Sequence, residues 1–240
     1  PSEITQWMAT DVHPPGWRLF IETWIEAFGG DEFVTRWSSI LLNLLTYALI
    51  FQLGKHLADW KVGLFAIVLL GVYTFASNLM SELRPYPMLI MLVSALHLVF
   101  YRWLKRPTAR LFVFYVVLGI SAVYTHFFSF FIFPAHALFF LLFRKFERRI
   151  FAHTLAMWLF IGLSFVSWIL PFIHTILVPF PGGIYYALPE GFVGVELLVQ
   201  RIRFVPEEIG LFLLILGLCV PVAGTLVLSR KQPNTRLESR

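Results

Sequence analysis

Residues 111–149, LFVFYVVLGISAVYTHFFSFFIFPAHALFFLLFRKFERR, decide the fold class of this chain. The stretch is nearly continuous apolar sequence up to residue 143, and we place its break at Tyr124-Thr125-His126. A helix rises ~1.5 Å per residue, so this stretch is too long for one crossing of ~30 Å of hydrocarbon. We therefore predict two short membrane-spanning helices that meet in a tight turn at His126.

The rest of the chain repeats this pattern of long apolar runs and short polar gaps. Apolar residues make up 58% of the 240 residues, and the mean hydropathy is +0.76. Runs of this length are typical of membrane spans and exceed what a soluble domain needs. We predict an all-α integral membrane protein with about seven spans, near 37–54, 62–80, 85–101, 111–125, 127–143, 153–176 and 208–229.

Basic residues occupy alternate gaps between these spans. The gaps after the first, third, fifth and seventh spans hold 14 of the 19 lysines and arginines, but of the acidic residues only Asp59, Glu147 and Glu238. Because basic loops stay in the cytoplasm, we expect the N-terminus outside and the C-terminus inside. The formal net charge of +5 then reflects this bias and does not indicate nucleic-acid binding.

An amphipathic helix is predicted ahead of the first span. Its aromatic and aliphatic residues follow the i, i+3, i+4 spacing of one helical face: Trp17, Phe20, Ile21, Trp24, Ile25 and Phe28. The helix is too short and too charged to span, so we expect it to lie in the outer interface; a plain anchoring helix is the alternative. The predicted regions are an outer loop at 1–36, a helical bundle at 37–229 with an outer loop at 177–207, and a cytoplasmic tail at 230–240.

Ionisable and polar residues gather at the outer ends of the predicted spans. They are Asp11, His13, Arg36, Glu82, Arg84, Tyr86 and His126. Such residues at membrane depth are costly, and they usually line a hydrated cavity or pair with one another. Each also has a structural alternative: a local ion pair for Glu82 and Arg84, and a turn bonded to nearby carbonyls for His126.

Three of these outer motifs, taken in order, carry a family resemblance. The segment Asp11-Val12-His13-Pro14-Pro15 is similar to a D-x-H-P-P motif. Ser81-Glu82-Leu83-Arg84-Pro85-Tyr86 resembles a Q/S-E-x-R-x-Y turn, and Tyr124-Thr125-His126-Phe127-Phe128 resembles Y-T-H-Y/F-F. Over roughly residues 8–172 the chain resembles the GT-C superfamily of membrane glycosyltransferases, especially the dolichyl-phosphate-mannose protein mannosyltransferase branch.

The resemblance implies transfer of a sugar from a polyprenyl-phosphate carrier to a protein, lipid or glycan hydroxyl at the non-cytoplasmic face. It places Asp11 and His13 as catalytic residues near the sugar and the acceptor. It places Arg84 at the lipid phosphate, with Glu82, Tyr86 and His126 as further substrate-binding residues. Arg36 matches the family's arginine at the start of the following span. The resemblance therefore implies that Arg36 binds substrate, and a structural role is the alternative.

The sequence also departs from the family pattern. The family usually carries an Asp-Glu pair after its first helix, and that Asp is the expected catalytic base. This chain begins downstream of that point, so we expect the first helix and its loop to be missing and this fragment alone to be inactive. Gly16 also stands where the family commonly has leucine.

Other functions remain as alternatives on the sequence alone. A transporter or flippase of lipid-linked substrates would show inverted repeats with broken helices near mid-bilayer. An oligosaccharide polymerase or ligase would also use outer arginines. We expect membrane lipids as partners and the plasma membrane of a bacterium or archaeon as the location. The sequence leaves a divalent metal as an open possibility and names no other cofactor.

Overall fold

The computed structural model of the protein describes residues 14–73, 82–142 and 148–177, without the side chains of 141–142 and 169–177. Every regular element in these ranges is a helix, which confirms the predicted all-α class. The helices are α1 (Gly16–Phe28), α2 (Glu32–Leu57), α3 (Trp60–Val72), α4 (Tyr86–Lys105), α5 (Ala109–Thr125), a 3₁₀ helix (Phe127–Phe131), α6 (Ile132–Leu142) and α7 (Arg148–Leu177).

Five of the seven predicted spans coincide with described helices, and α3 covers the first part of the predicted span at 62–80, of which residues 74–80 lie outside the described residues. Helices α2, α4 and α7 are long and apolar enough to cross a membrane; α3, α5 and the segment Phe127–Phe140 are shorter apolar helices. The predicted span at 208–229 lies outside the described residues, as does nearly all of the loop at 177–207. Many large apolar side chains on the surface of the bundle are exposed. These features are those of a helical membrane protein.

Several helices begin or end up to five residues from the predicted boundaries. Helix α2 begins at Glu32, ahead of the predicted start at 37, and Asp31 precedes it in extended conformation. The sequence predicted that Pro85 is the first residue of the next span. In the structure Pro85 is the N-cap, and helix α4 begins at Tyr86. The predicted turn between α5 and the next span is confirmed, since α5 ends at Thr125. The following segment opens with a 3₁₀ helix because the His126 side chain accepts a hydrogen bond from the Phe128 amide at 3.2 Å.

Successive helices run in opposite directions, so the bundle has two ends. At one end, the Tyr101 hydroxyl donates to the His56 carbonyl at 2.6 Å, which joins the last turns of α2 and α4. We call this the arginine-rich end, after its basic residues Arg102, Lys105, Arg106, Arg110, Arg148 and Arg149.

The other end holds residues 82–86 and 124–128, and we call it the motif end. There the Ser39 hydroxyl of α2 donates to the Glu82 carbonyl at 3.2 Å. The Tyr124 hydroxyl of α5 donates to the Ser164 carbonyl of α7 at 2.6 Å. These bonds connect α2 to the turn before α4, and α5 to α7.

Helix α1 has the predicted extent and lies at the motif end. Its aromatic side chains stack in sequence, with ring centroids 5.6 Å apart for Trp17 and Phe20 and 4.5 Å apart for Trp24 and Phe28. The indole N–H of Trp24 donates to the Val34 carbonyl at 2.9 Å, so α1 folds back against the start of α2. Gly29 ends α1 with a φ of 103°, a conformation that favours glycine.

The interior of the bundle contains a polar aromatic cluster. The Trp158 indole N–H donates to the Tyr115 hydroxyl at 3.1 Å, and Tyr115 lies 2.8 Å from His136 Nδ1. The His136 ring stacks on Phe100 at 3.8 Å between centroids and meets His97 edge-on at 5.1 Å. Because these residues come from α4, α5, α6 and α7, the cluster ties four helices together near the middle of α5.

Helices α2 and α3 form a close hairpin at two glycines. A Cβ atom on Gly54 would lie 2.6 Å from the Gly63 Cα, and one on Gly63 would lie 2.5 Å from the Phe51 carbonyl oxygen. Small residues allow such backbone approach between membrane helices. The side chain of Asp59 caps α3 by accepting from the Lys61 and Val62 amides at 2.8 and 3.0 Å.

We expect Gly63→Ala to destabilise the protein by about 1–3 kcal/mol, because the added methyl group has no room beside the Phe51 carbonyl. The measurement is the thermal unfolding midpoint in detergent. Gly71→Ala on the same helix is the matched control, since its nearest neighbour would be the Tyr47 hydroxyl at an ordinary 3.6 Å. Equal midpoints for the two variants would show that the α2–α3 hairpin is not closely packed.

Candidate functional site

The turn before α4 presents a charged pair at the motif end. Arg84 Nε lies 3.3 Å from a carboxylate oxygen of Glu82, with side chains 66% and 43% exposed, respectively. The hydrogen bond from Ser39 to the Glu82 carbonyl fixes the backbone of this turn against α2. The local ion pair considered from the sequence is therefore present, and it holds an exposed guanidinium at the end of the bundle.

His126 lies beside this turn and is buried, at 6% exposure. Its Nδ1 accepts from the Phe128 amide, so the neutral ring carries its proton on Nε2. The ring centroid is 5.5 Å from that of Tyr86, which brings the second and third motifs into contact. The turn role considered for His126 is thus observed, with the Phe128 amide as a hydrogen-bond partner of its ring.

The segment that leads out of the first motif packs against the third. Pro14 and Pro15 are both buried. A Cβ atom on Gly16 would lie 2.5 Å from the Tyr124 carbonyl oxygen, so the backbone at Gly16 contacts the end of α5 directly. This contact accounts for glycine at a position where the sequence comparison expects leucine. Asp11 and His13, the predicted catalytic residues, lie outside the described residues.

Arg36 pairs with a residue of its own helix. Its Nη2 lies 2.9 Å from the Glu32 carboxylate, one turn earlier in α2, and both side chains are mostly exposed. The observed partner of Arg36 is therefore Glu32, whereas Glu82, Arg84, Tyr86 and His126 are neighbours of one another. This pairing agrees with the structural role that the sequence left open for Arg36.

Sequence reasoning missed two residues that position this end of the bundle. Ser39 binds the Glu82 backbone, and the Tyr124 hydroxyl anchors the Y-T-H segment to α7. Ser39 could have been found from the polar pair Ser38-Ser39 inside an apolar run. Tyr124 could have been found because it is the first residue of the Y-T-H motif. Within the described ranges, no group of three His, Cys, Asp or Glu side chains could hold a metal ion.

Comparison with known proteins assigns the family. The profile of the dolichyl-phosphate-mannose-protein mannosyltransferase family matches residues 12–173, well over half of the 240 residues. The match includes the last four residues of the D-x-H-P-P segment and both motifs that meet at Tyr86 and His126. No curated protein and no solved structure matches the chain. The chain therefore belongs to the dolichyl-phosphate-mannose-protein mannosyltransferase family and is a membrane glycosyltransferase with an all-α, GT-C-like fold.

Proposed function

We propose that the protein transfers a sugar from a polyprenyl-phosphate carrier to a hydroxyl group of a protein, lipid or glycan at the non-cytoplasmic face of the membrane. The observation that supports this proposal is that the second and third family motifs meet at one end of the bundle, where the backbone that follows the first motif also packs. Tyr86 contacts His126, and the backbone at Gly16 contacts Tyr124. A reaction between a lipid-linked donor and a polar acceptor needs polar groups gathered where the bundle meets water.

In the proposed reaction, the acceptor hydroxyl attacks the anomeric carbon of the sugar. The bond between that carbon and the phosphate oxygen breaks, and polyprenyl phosphate leaves with the bonding electrons. Arg84 stabilises the charge that develops on the departing phosphate, since its guanidinium is exposed and held by Glu82. Asp11 and His13 contact the sugar and the acceptor hydroxyl, and a carboxylate accepts the hydroxyl proton.

His126 and Tyr86 form one wall of the proposed sugar site. The amide of Phe128 orients the His126 ring, and Ser39 fixes the turn that carries Glu82. A site held by hydrogen bonds from neighbouring helices keeps its geometry during catalysis.

The direct test is a transfer assay with the protein encoded by its complete gene. Membranes that contain it should move a labelled sugar from synthetic polyprenyl phosphate to a hydroxyl acceptor, and membranes without it should not. Movement of the intact lipid-linked sugar between leaflets without transfer would instead favour the transporter alternative. The transporter alternative expects helices that are broken near mid-bilayer. Each described helix is continuous from its first to its last residue.

The proposed topology places the motif end outside and the arginine-rich end in the cytoplasm. We expect a cysteine at position 83, in the exposed turn, to react with a membrane-impermeant maleimide on intact cells. A cysteine at position 106, in the gap after α4, should react only after permeabilisation. Both substitutions belong in a Cys219→Ser background, since Cys219 is the single cysteine. The reverse pattern of labelling would contradict the orientation.

A further inference from the structure

A cavity lies at the arginine-rich end, far from the motif end. It has a volume of about 500 Å³ and lies between the end of α4, the start of α5 and the start of α7. Trp103 lines this cavity and Tyr86 lies at the motif end of the same helix, α4. The two residues are seventeen positions apart, which is about 26 Å along the helix axis. The cavity is thus separated from the candidate glycosyl-transfer site by nearly the thickness of the hydrocarbon core.

One wall of the cavity is apolar and opens to the surface of the bundle. Phe112, Val113 and Ile150 line it with Trp103. The Trp103 indole N–H donates to the Thr154 hydroxyl at 3.1 Å, which fixes the buried ring between α4 and α7. Val113 is 58% exposed, so the wall continues onto a surface that faces lipid tails. Such a wall suits an acyl chain.

The opposite wall is basic. Arg149 and His153 line the cavity, and the His153 ring lies 2.7 Å from the Arg149 carbonyl through Nδ1 and edge-on to Trp103. Arg106 and Arg110 flank the lining residues 107–109. In the part of the chain that the structure describes, the arginine–carboxylate pairs join Arg18, Arg36 and Arg84 to glutamates. The arginines around this cavity therefore have no carboxylate partner among the described residues.

We propose that this cavity binds an anionic glycerophospholipid. Its phosphate would lie at Arg149 and one acyl chain would lie along Phe112 and Val113. Two features favour a phospholipid: the arginines have no carboxylate partner in the described part of the chain and so favour an anion, and the apolar wall leads from them to the exposed surface at Val113. The polyprenyl-phosphate donor is a different ligand, because its phosphate would lie at Arg84 at the other end of the bundle. This inference requires only that the protein lies in a membrane.

The test measures binding of phosphatidylglycerol to the full chain in detergent, with phosphatidylcholine of the same acyl chains for comparison. We expect phosphatidylglycerol to bind more tightly, and we expect Arg149→Gln to weaken its binding about fivefold or more. Arg18→Gln is the control, because it removes the same charge at the motif end and should leave binding unchanged. Equal binding by wild type and Arg149→Gln, or equal loss in both variants, would overturn the proposal.

A second measurement locates the ligand and distinguishes its source. A phosphatidylglycerol with a photoreactive acyl chain should label the peptide that contains Phe112 and Val113. Excess inorganic phosphate should leave most of this labelling in place, since a free ion gains nothing from the apolar wall. Labelling confined to other helices, or its complete displacement by phosphate, would contradict a phospholipid site here. The thermal unfolding midpoint of Arg149→Gln confirms that the variant is folded.

Discussion

Replacing Arg84 with glutamine is expected to lower the turnover rate for sugar transfer by about 10²–10³-fold, because the departing lipid phosphate loses its guanidinium partner. The side chain is exposed and its ion pair with Glu82 lies at the water boundary. Exposed pairs of this kind contribute ~1 kcal/mol or less to stability, so the variant should still fold and insert. The measurement is the rate of transfer from a polyprenyl-phosphate sugar, catalysed by the protein encoded by its complete gene.

Arg18→Gln is the matched control for this experiment. Arg18 lies on α1 at the same end of the bundle and pairs with a glutamate, as Arg84 does, with Nε 2.6 Å from the Glu22 carboxylate. Its loss should change the rate less than twofold, because Arg18 pairs within its own helix, with a side chain that is 31% exposed, and does not touch the proposed substrate. Wild-type turnover by Arg84→Gln would remove Arg84 from the mechanism.

Replacing Asp11 with asparagine is expected to lower the rate by about 10²–10⁴-fold, the range for a catalytic group that contacts the acceptor hydroxyl, whether it takes the proton itself or assists the expected upstream base. The substitution keeps the shape of the side chain and removes its charge and basicity. It therefore tests the carboxylate itself. The backbone that follows this motif, at Gly16, packs against Tyr124, the first residue of the Y-T-H segment that holds His126. The measurement is the same transfer assay, with membrane insertion checked separately.

Asp31→Asn is the corresponding control at the motif end. Asp31 is the N-cap of α2, it is exposed, and its side chain makes no capping hydrogen bond. Asparagine and aspartate are equally good N-caps, so this variant should retain both stability and transfer. If Asp11→Asn and Asp31→Asn are equally active, the acidic residue of the first motif has no catalytic role.

The sequence was sufficient to predict the described helices and their order. Apolar runs and basic gaps reflect the cost of placing polar groups in lipid, and this cost depends on local composition. The helix at residues 17–28 and the turn at His126 were therefore predicted close to their observed positions. The start of α4 was displaced by one residue because Pro85 serves as the N-cap.

Contacts between distant segments could not be predicted in this way. The bond from Ser39 to Glu82 joins residues 43 positions apart, and the approach of Gly16 to Tyr124 joins α1 to the end of α5. Both depend on how whole helices pack, which has no signature in the local sequence. The cavity beside Arg149 was missed for the same reason, since its walls come from three helices.

The central claim is that the three motifs form one polar site at a single end of the bundle. The most direct test is an experimental structure of the protein in lipid nanodiscs with a polyprenyl-phosphate sugar bound. We predict that the lipid phosphate lies about 3 Å from the Arg84 guanidinium, with Asp11 and His126 lining the same cleft around the sugar. A polyprenyl phosphate bound away from Arg84, or Asp11, Arg84 and His126 spread over separate faces of the bundle, would contradict the claim.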